Sequence, residues 1–292
     1  MEGAQHFVRR PRITLKKAPL IPLCLVIVLA ALCALLMVLP LAPFIHKLHW
    51  SLMTIAAVIF IASTLYNLLS FPFTPSEPLK VFFKQTVDLD SNTNRVYLEG
   101  VETYLRHRII DEIPSSGASG GVWCSNKGIR PLLHSCRWTG AMPAVADTGL
   151  SKLITYSAKR IGDKDSALAQ FTLRGKDTRA CRIYFDSTRV HSVHVHGASR
   201  NGTMQPGYEV RGNGVSVIKL WSRTWNREWI VDVDMGTNAT AGNVDGRVAC
   251  QWSENIDSRI PALEEVMTFI PKWAVVTKAD DGLVEAWYKF SI

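Results

Sequence analysis

The chain has 292 residues, 47% of them apolar, and a formal net charge of +8, a length that fits one large domain or two small ones. The charge is uneven: residues 1–73 carry six Lys or Arg and one acidic residue, whereas the rest of the chain carries 27 and 24. The longer part has no basic stripe interleaved with aromatic side chains, which excludes a typical nucleic-acid-binding surface.

The first 73 residues predict a membrane anchor. Residues 1–17 form a basic tail, and the runs 18–45 and 50–73 contain no charged side chain. Because about 20 apolar residues cross the hydrocarbon layer, we predict two transmembrane helices, at about 20–40 and 50–71, within the segment 18–73. A signal peptide or a pair of buried core helices explains two adjacent long runs less well. Membrane lipid is therefore an expected partner, with the tail on anionic headgroups.

Residues 74–292 predict a β-rich domain. In "EWIVDVDM", apolar side chains from Trp229 to Met235 alternate with polar ones, which is typical of a half-buried strand. Similar runs are "KVFFKQTV", "RVYLEG", "AQFTLRG", "ACRIYFD", "VSVIKLW", "RVACQW" and "EAWYKFSI". With the turn signals between them, they predict a mainly β fold, an antiparallel β-sandwich or jelly-roll-like domain with one or two short helices. One helix is predicted at "PALEEVMTFI", where Pro261 suits the first turn.

Tryptophan is concentrated in this domain, which holds eight of the nine in the chain. Trp221, Trp225 and Trp229 share strand parity, which favours a large aromatic layer in the core. A face that stacks on sugars or binds a partner is the alternative.

Four cysteines of the β domain, Cys124, Cys136, Cys181 and Cys250, predict two disulfides. Their number is even and no C-x-x-C pair is present, which disfavours a zinc site. Cys124 and Cys136 are close enough in sequence to close a small loop, but the spacing alone leaves the pairing open.

Two glycosylation sequons begin at Asn201 and Asn238 and can act only in a secretory compartment. The predicted disulfides also favour an oxidising lumen. The basic tail points the other way, because the positive-inside rule would place it and the β domain in the cytosol.

Three motifs resemble active sites. "GASGG" matches a G-x-S-x-G pattern around Ser119, but a Pro-Ser-Ser turn precedes it and a strand-like run follows, so a surface loop is the better interpretation. "TKADDGLVE" places the acids Asp280, Asp281 and Glu285 near Lys278, a combination that can serve acid-base catalysis. Asp-Asp-Gly is also ordinary turn chemistry, which is the favoured interpretation.

The third motif, "HSVHVHG", places His194 and His196 on one face of a strand, with His191 on the other. Two imidazoles on one face can bind zinc only with further ligands. Asp186 or an acid from a neighbouring strand could serve, yet the sequence names none, so an exposed His-rich strand is the favoured interpretation and an independent hydrolase is a weak alternative. The residues alone thus predict no catalytic centre and no cofactor.

Several segments together resemble the C-terminal part of the fungal vacuolar membrane protease family, from about residue 19 to the end. They are "YNLLSFPFTPSEPLKVFFKQTVDLD", "TRACRIYFD", "LWSRTWNREWIVDVDM", "GRVACQWSE" and "PKWAVVTKADDGLVEAW". The resemblance implies a zinc aminopeptidase-type domain, then a multi-spanning membrane region, then a lumenal β-rich domain. It also supports the disulfides and the lumenal side.

The family's zinc ligands and catalytic carboxylate belong to the peptidase domain, which no part of this chain resembles. We therefore expect zinc only in that domain and assign no catalytic residue here. The resemblance implies a multi-pass module of the vacuolar or another endomembrane that supports or positions peptidase activity, with a peptidase-domain polypeptide or upstream membrane helices as partners. The alternative is a lumenal β-sandwich that binds a glycan or a peptide without a protease partner.

Overall fold

The fold comes from a computed structural model. It describes residues 50–118, 121–126, 128, 133–145, 149–161, 167–186, 188–197, 208–209, 214–236, 243–255 and 259–292. Contacts divide the chain into two compact units, one of Arg9–Thr74 and one containing Pro75–Ile292. The predicted boundaries 1–17, 18–73 and 74–292 stay predictions.

In the first unit, helix α1 (Trp50–Leu69) contains no charged residue and exposes apolar side chains such as Ile59 and Phe60. It coincides with the second predicted transmembrane helix, about 50–71, whereas the first, about 20–40, lies outside the described residues. Within the described part of the chain, no helix combines the length and the apolar character needed to cross a membrane. The transmembrane hairpin is therefore not confirmed.

The second unit is mainly β, as predicted. Its described strands are β1 (Leu79–Asp88), β2 (Thr93–Gly100), β3 (Trp123–Ser125), β4 (His134–Trp138), β5 (Ile154–Arg160), β6 (Leu168–Gly175), β7 (Ala180–Phe185), β8 (Ser192–Val195), β9 (Tyr208–Glu209), β10 (Val217–Trp221), β11 (Glu228–Asp234), β12 (Asp245–Trp252), β13 (Ala274–Lys278) and β14 (Val284–Ser291).

Its helices are short: α2 (Glu102–Arg108), α3 (Pro114–Ala118) and α4 (Pro261–Phe269), with 3₁₀ turns at Ile110–Glu112 and Leu150–Lys152. Helix α4 is the predicted one, with Pro261 in its first turn. It buries Leu263 and Val266. The positions of α2 and α3 were not predicted from the sequence.

The strands form two sheets. Nine strands form the first, in the order β10-β7-β12-β14-β1-β2-β4-β3 with β13 also on β1, and five form the second, in the order β5-β6-β11-β8-β9. Most pairs are antiparallel, as predicted, but β1 pairs in parallel with β13 along its first half and with β14 along its second. These pairs depart from the wholly antiparallel prediction. Parallel strands need a long connection, and here nearly the whole domain lies between β1 and β14.

An aromatic cluster joins the two sheets in the core. Phe171 of β6 lies 5.7 Å from Phe185 of β7 and 5.0 Å from Phe290 of β14, measured between ring centroids. All three rings are almost fully buried. Alternate residues of these strands face this layer, so the polar face of the first sheet lies on the opposite side.

Two disulfides cross paired strands. Cys124 joins Cys136 between β3 and β4, and Cys181 joins Cys250 between β7 and β12. Each pair stands directly opposite in its antiparallel ladder, at Cα–Cα distances of 4.0 and 3.9 Å. The prediction of two disulfides is confirmed, and the pairing that the sequence left open is now assigned.

Candidate functional site

A break between β13 and β14 places two acidic side chains over the polar face of the first sheet. Both strands pair with β1, but the five residues 279–283 between them leave the ladder. The ends of this segment bracket Lys84: the Ala279 N–H donates to the Phe83 carbonyl, and the Gln85 N–H donates to the Leu283 carbonyl. The predicted Asp-Asp-Gly turn lies in this segment.

These acids join a group of charges that we call the Arg182 network, which is buried at Arg182 and Glu285 and exposed at Asp281. It comprises three cations and three anions from four strands and the turn, namely Lys84, Arg182, Lys219, Asp280, Asp281 and Glu285. Arg182 donates to both oxygens of Asp280, at 2.6 and 3.0 Å, and to Asp281. Lys84 Nζ lies 3.2 Å from Glu285 Oε1, and Lys219 Nζ donates to Asp281 at 2.9 Å. The network is therefore neutral and internally paired.

Neutral partners complete the centre of the network. Glu285 Oε2 accepts hydrogen bonds from Gln251 Nε2 at 2.5 Å and from the Tyr184 hydroxyl at 3.0 Å. Arg182 is 5% exposed and Glu285 2%, so these charges are desolvated and depend on one another.

Pairing outweighs burial in setting the protonation of these groups. Burial alone would raise the pKa of Asp280, but the hydrogen bond and charge of Arg182 hold it well below its usual range. Burial would likewise raise the pKa of Glu285, yet Lys84 and Arg182 lower it. Burial opposes the charge of Arg182 too, but its bond to Asp280 raises its pKa. Burial and the charge of Glu285 raise the pKa of Tyr184.

These shifts bear on the chemistry that the network can do. An efficient general acid or base has a pKa near the working pH. The carboxylates here move down, and the tyrosine and arginine move up, so each group is held in one protonation state at neutral pH. The arrangement is that of a structural ion network.

A cavity of about 700 Å³ lies beside this network. Trp221, Trp225 and Trp252 line it together with Asp280 and Asp281. Its volume is within the usual range for small-ligand sites, about 300–1,000 Å³. A smaller neighbouring cavity of about 270 Å³ includes Arg182 and Lys219 in its wall.

The turn between β10 and β11 positions the aromatic wall. Asn226 adopts a left-handed backbone, with φ 57°, and its side chain accepts a hydrogen bond from the Asp177 N–H at 2.6 Å. This contact fixes the turn so that Trp225 stacks on Arg179, at 4.4 Å from guanidinium carbon to ring centroid. Arg179 in turn pairs with Glu254 at 2.8 Å.

The prediction of one aromatic core layer is wrong for two of the three tryptophans. Trp229 is 3% exposed, but Trp221 and Trp225 are 42% and 46% exposed and line the cavity. Trp221 ends β10 and Trp225 lies in a turn, and strand parity does not extend through a turn.

The histidine motif lies on the second sheet. His194 belongs to β8, and Asp232 of β11 lies directly opposite it in register, an acid from a neighbouring strand that the sequence alone did not identify. His196 Nε2 lies 2.6 Å from Asp232 Oδ2, and His194 Nδ1 lies 4.0 Å from the same atom. His191 is not in this group; its ring packs at Gly236.

The comparisons with known proteins identify the family. A family profile described as the C-terminal domain of vacuolar membrane protease matches residues 79–286. The chain belongs to the vacuolar membrane protease family. It corresponds to the C-terminal part of these proteins.

Curated relatives agree with this assignment. Proteins named vacuolar membrane protease from Schizophyllum commune and Coprinopsis cinerea are 41% and 39% identical over 90% of the chain, and one from Sclerotinia sclerotiorum is 38% identical over 90%. The chain spans 29%, 31% and 25% of these three relatives, between a quarter and a third of their length.

A solved structure also shows a weak similarity: the yeast delta-COP-I mu-homology domain complexed with a Dsl1 WxWxV peptide. The match covers 73% of this chain and 94% of that chain at 9% identity, with a TM-score of 0.24. A similarity this low supports no argument about the fold.

Three of the predicted sites are not described by the structure. The sequons at Asn201 and Asn238 and the weak nucleophile candidate Ser119 lie outside the described residues. Sequence reasoning found Asp280, Asp281 and Glu285 but missed their partner Arg182, and it did not identify Asp232. Polar side chains alternating within otherwise apolar strands were the only local signal, and their partners lie far away in sequence.

Proposed function

We propose that this chain is a non-catalytic, membrane-anchored module of a vacuolar membrane protease that supports or positions peptidase activity. The observation that carries the proposal is the family match, which covers the C-terminal domain and only a quarter to a third of the relatives' length. The family resemblance seen in the sequence implies that the zinc ligands and the catalytic carboxylate belong to a separate, preceding domain.

The Arg182 network supports the same conclusion. An arrangement of the strands that separated these partners would leave a buried charge uncompensated, so the network disfavours rearrangement. Because its groups are held charged, or protonated in the case of Tyr184, the network suits a rigid scaffold better than proton transfer. The module would thus present a fixed surface to a peptidase domain.

The proposed anchor consists of the charge-free segments 18–45 and 50–73, with the β domain in the vacuolar lumen. The relatives' name supports the vacuolar membrane, and the two disulfides favour an oxidising compartment. A mobility shift on deglycosylation that disappears in Asn201→Gln/Asn238→Gln would support the lumenal side. Protease digestion of the β domain in intact vacuoles would contradict it.

Co-purification tests the main proposal. The tagged full chain, expressed in fungal cells and extracted in detergent, is expected to retain a polypeptide carrying the peptidase domain. Residues 1–73 alone serve as the control bait and separate capture by the β domain from capture by the anchor. Recovery of the chain without such a polypeptide, under conditions that preserve other membrane complexes, would contradict the proposal.

An activity assay tests the non-catalytic part. The purified chain alone is expected to leave fluorogenic aminoacyl substrates intact, whereas the co-purified complex hydrolyses them. Hydrolysis by the chain alone, surviving in material with no co-purified peptidase, would refute a non-catalytic role.

A second candidate function, binding of a glycan or peptide, is favoured by the tryptophan-lined cavity. The exposed faces of Trp221 and Trp225 can stack on a sugar or an aromatic side chain. In the wall, Arg179 pairs with Glu254, and Asp280 and Asp281 are already paired with Arg182, which favours an uncharged ligand over a highly charged one.

Matched tryptophan variants test this function. Trp225→Ala is expected to abolish binding of neutral oligosaccharides or short peptides, measured by fluorescence titration. Trp123→Ala is the control, because Trp123 is also exposed and stacks on Arg137 at 4.1 Å, but at the β3 edge of the sheet. No binding to wild type, or equal loss in both variants, would eliminate the idea.

A further inference from the structure

Three strands bring polar groups into one row on the outer face of the second sheet. Asp232 of β11 lies directly opposite Gln170 of β6 on one side and His194 of β8 on the other. His196 is two residues further along the same face, and the core-facing neighbours Val231 and Val195 are buried. Two imidazoles and one carboxylate therefore converge on hydrogen-bonded backbone, because His196 directly follows β8 and its N–H donates to the Ile230 carbonyl at 2.9 Å.

We propose that His194, His196 and Asp232 bind one divalent transition-metal ion of the zinc class. Their candidate ligand atoms all lie within 4.8 Å of one another. Imidazole and carboxylate are the ligand types that Zn²⁺ and its first-row neighbours accept, and a site with three protein ligands leaves a position for water or substrate.

The distances fit a small closure around an ion. Tetrahedral zinc with bonds of about 2.0–2.1 Å places neighbouring ligand atoms about 3.3 Å apart. The separation of His196 Nε2 from Asp232 Oδ2 is 2.6 Å, and that of His194 Nδ1 from the same oxygen is 4.0 Å, one on each side of this value. The two imidazole centroids are 4.8 Å apart and their planes nearly perpendicular. Closure around an ion requires small rotations of the three side chains.

Gln170 prepares the carboxylate for this role. Its Nε2 donates to Asp232 Oδ1 at 2.9 Å, which fixes the carboxylate and leaves Oδ2 facing the histidines. A partner that orients a metal-binding carboxylate in this way typically changes metal affinity by about 10–100-fold. Gln170 is thus a positioning residue.

Access and location agree with an ion-binding site. The three side chains are 23–35% exposed, which lets an ion enter from solvent while the strand backbones stay paired. Without an ion, the same side chains form a surface hydrogen bond between His196 and Asp232, and this is the competing interpretation that the experiment must separate.

Cobalt titration of the full chain, stripped of metal with a chelator, tests the proposal. We expect one equivalent of Co²⁺ to give the intense visible bands of a tetrahedral site and one equivalent of Zn²⁺ to abolish them. In calorimetry, Gln170→Leu should weaken Zn²⁺ binding about 10–100-fold, and His194→Ala, His196→Ala and Asp232→Asn should each weaken it further than Gln170→Leu does.

Two variants control for other histidines. His191→Ala removes a histidine of the same motif that lies outside the group, and His107→Ala removes a surface pair with Asp111, 3.6 Å apart. Both should bind like wild type, and urea midpoints without metal should show that every variant folds. The proposal is overturned if wild type shows no stoichiometric binding, or if the ligand variants bind as tightly as these controls.

Discussion

Replacing Arg182 with methionine tests whether the buried network stabilises the domain. Methionine keeps much of the side-chain length but removes the charge, which leaves Glu285 with Lys84 as its nearest cation and Asp280 with a cation only at 3.9 Å. Removing one partner of a buried ion pair typically costs about 3–5 kcal/mol, because the remaining charge is uncompensated. The side chain of Arg182 is 6% exposed, so the full range applies.

Urea unfolding of the full chain, followed by tryptophan fluorescence, measures this loss. With a slope of roughly 3 kcal/mol per molar urea, the midpoint should fall by about 1–1.7 M. Arg179→Met is the matched control: its ion pair with Glu254 is one-third exposed and should be worth less than about 1 kcal/mol.

A second variant separates charge from packing. Adding Glu285→Gln to Arg182→Met removes the uncompensated carboxylate and should recover part of the lost free energy of unfolding. If Arg182→Met costs no more than Arg179→Met, or if the double variant is less stable than either single one, the reasoning is refuted.

The remaining predictions concern pH, disulfides and close packing. The lowered pKa values of the network carboxylates add stability that is complete above their ordinary pKa of about 4 and is lost as the pH falls below it. The difference in urea midpoint between wild type and Arg182→Met should therefore shrink in acid. A difference that stays constant with pH would argue against this. Breaking Cys181–Cys250, which closes a loop of 69 residues, should lower the free energy of unfolding by roughly 4 kcal/mol. Breaking Cys124–Cys136, which closes a loop of 12, should lower it by roughly 3 kcal/mol. Calorimetry of the two double-serine variants should give that order. Gly246→Ala should destabilise by about 1–3 kcal/mol, because the added Cβ would meet a backbone carbonyl and lie 2.6 Å from the Phe290 ring, whereas Gly149→Ala, with open space, should be nearly neutral in the same melts.

The strands with alternating patterns were predictable because alternation is a local signal. "EWIVDVDM" and "ACRIYFD" became β11 and β7, and the apolar face of each lies in the core. The parallel pairing of β1 with β13 and β14 was not predictable, because it joins the two ends of the domain and leaves no trace in either segment alone.

The sites divide in the same way. His194 and His196 were recognisable because two residues of one strand share a face, but their third ligand depends on the register of β11 against β8, which the sequence does not encode locally. The Arg182 network was missed for the same reason: about 100 residues separate Arg182 from its acidic partners.

The network and the cavity share a wall, and this connects the two proposed functions. Asp280 and Asp281 line the cavity and are neutralised from behind by Arg182 and Lys219. A cationic ligand would therefore compete with Arg182 and Lys219, which already pair with these carboxylates. An anionic ligand would meet the two carboxylates at the wall. The exposed faces of Trp221 and Trp225 are therefore the expected source of affinity in this cavity. A glycan or peptide and a peptidase domain would compete for the same aromatic surface. If Trp225→Ala abolishes both ligand binding and co-purification of the peptidase domain, the same surface serves both. If it abolishes ligand binding alone, the peptidase domain contacts another face.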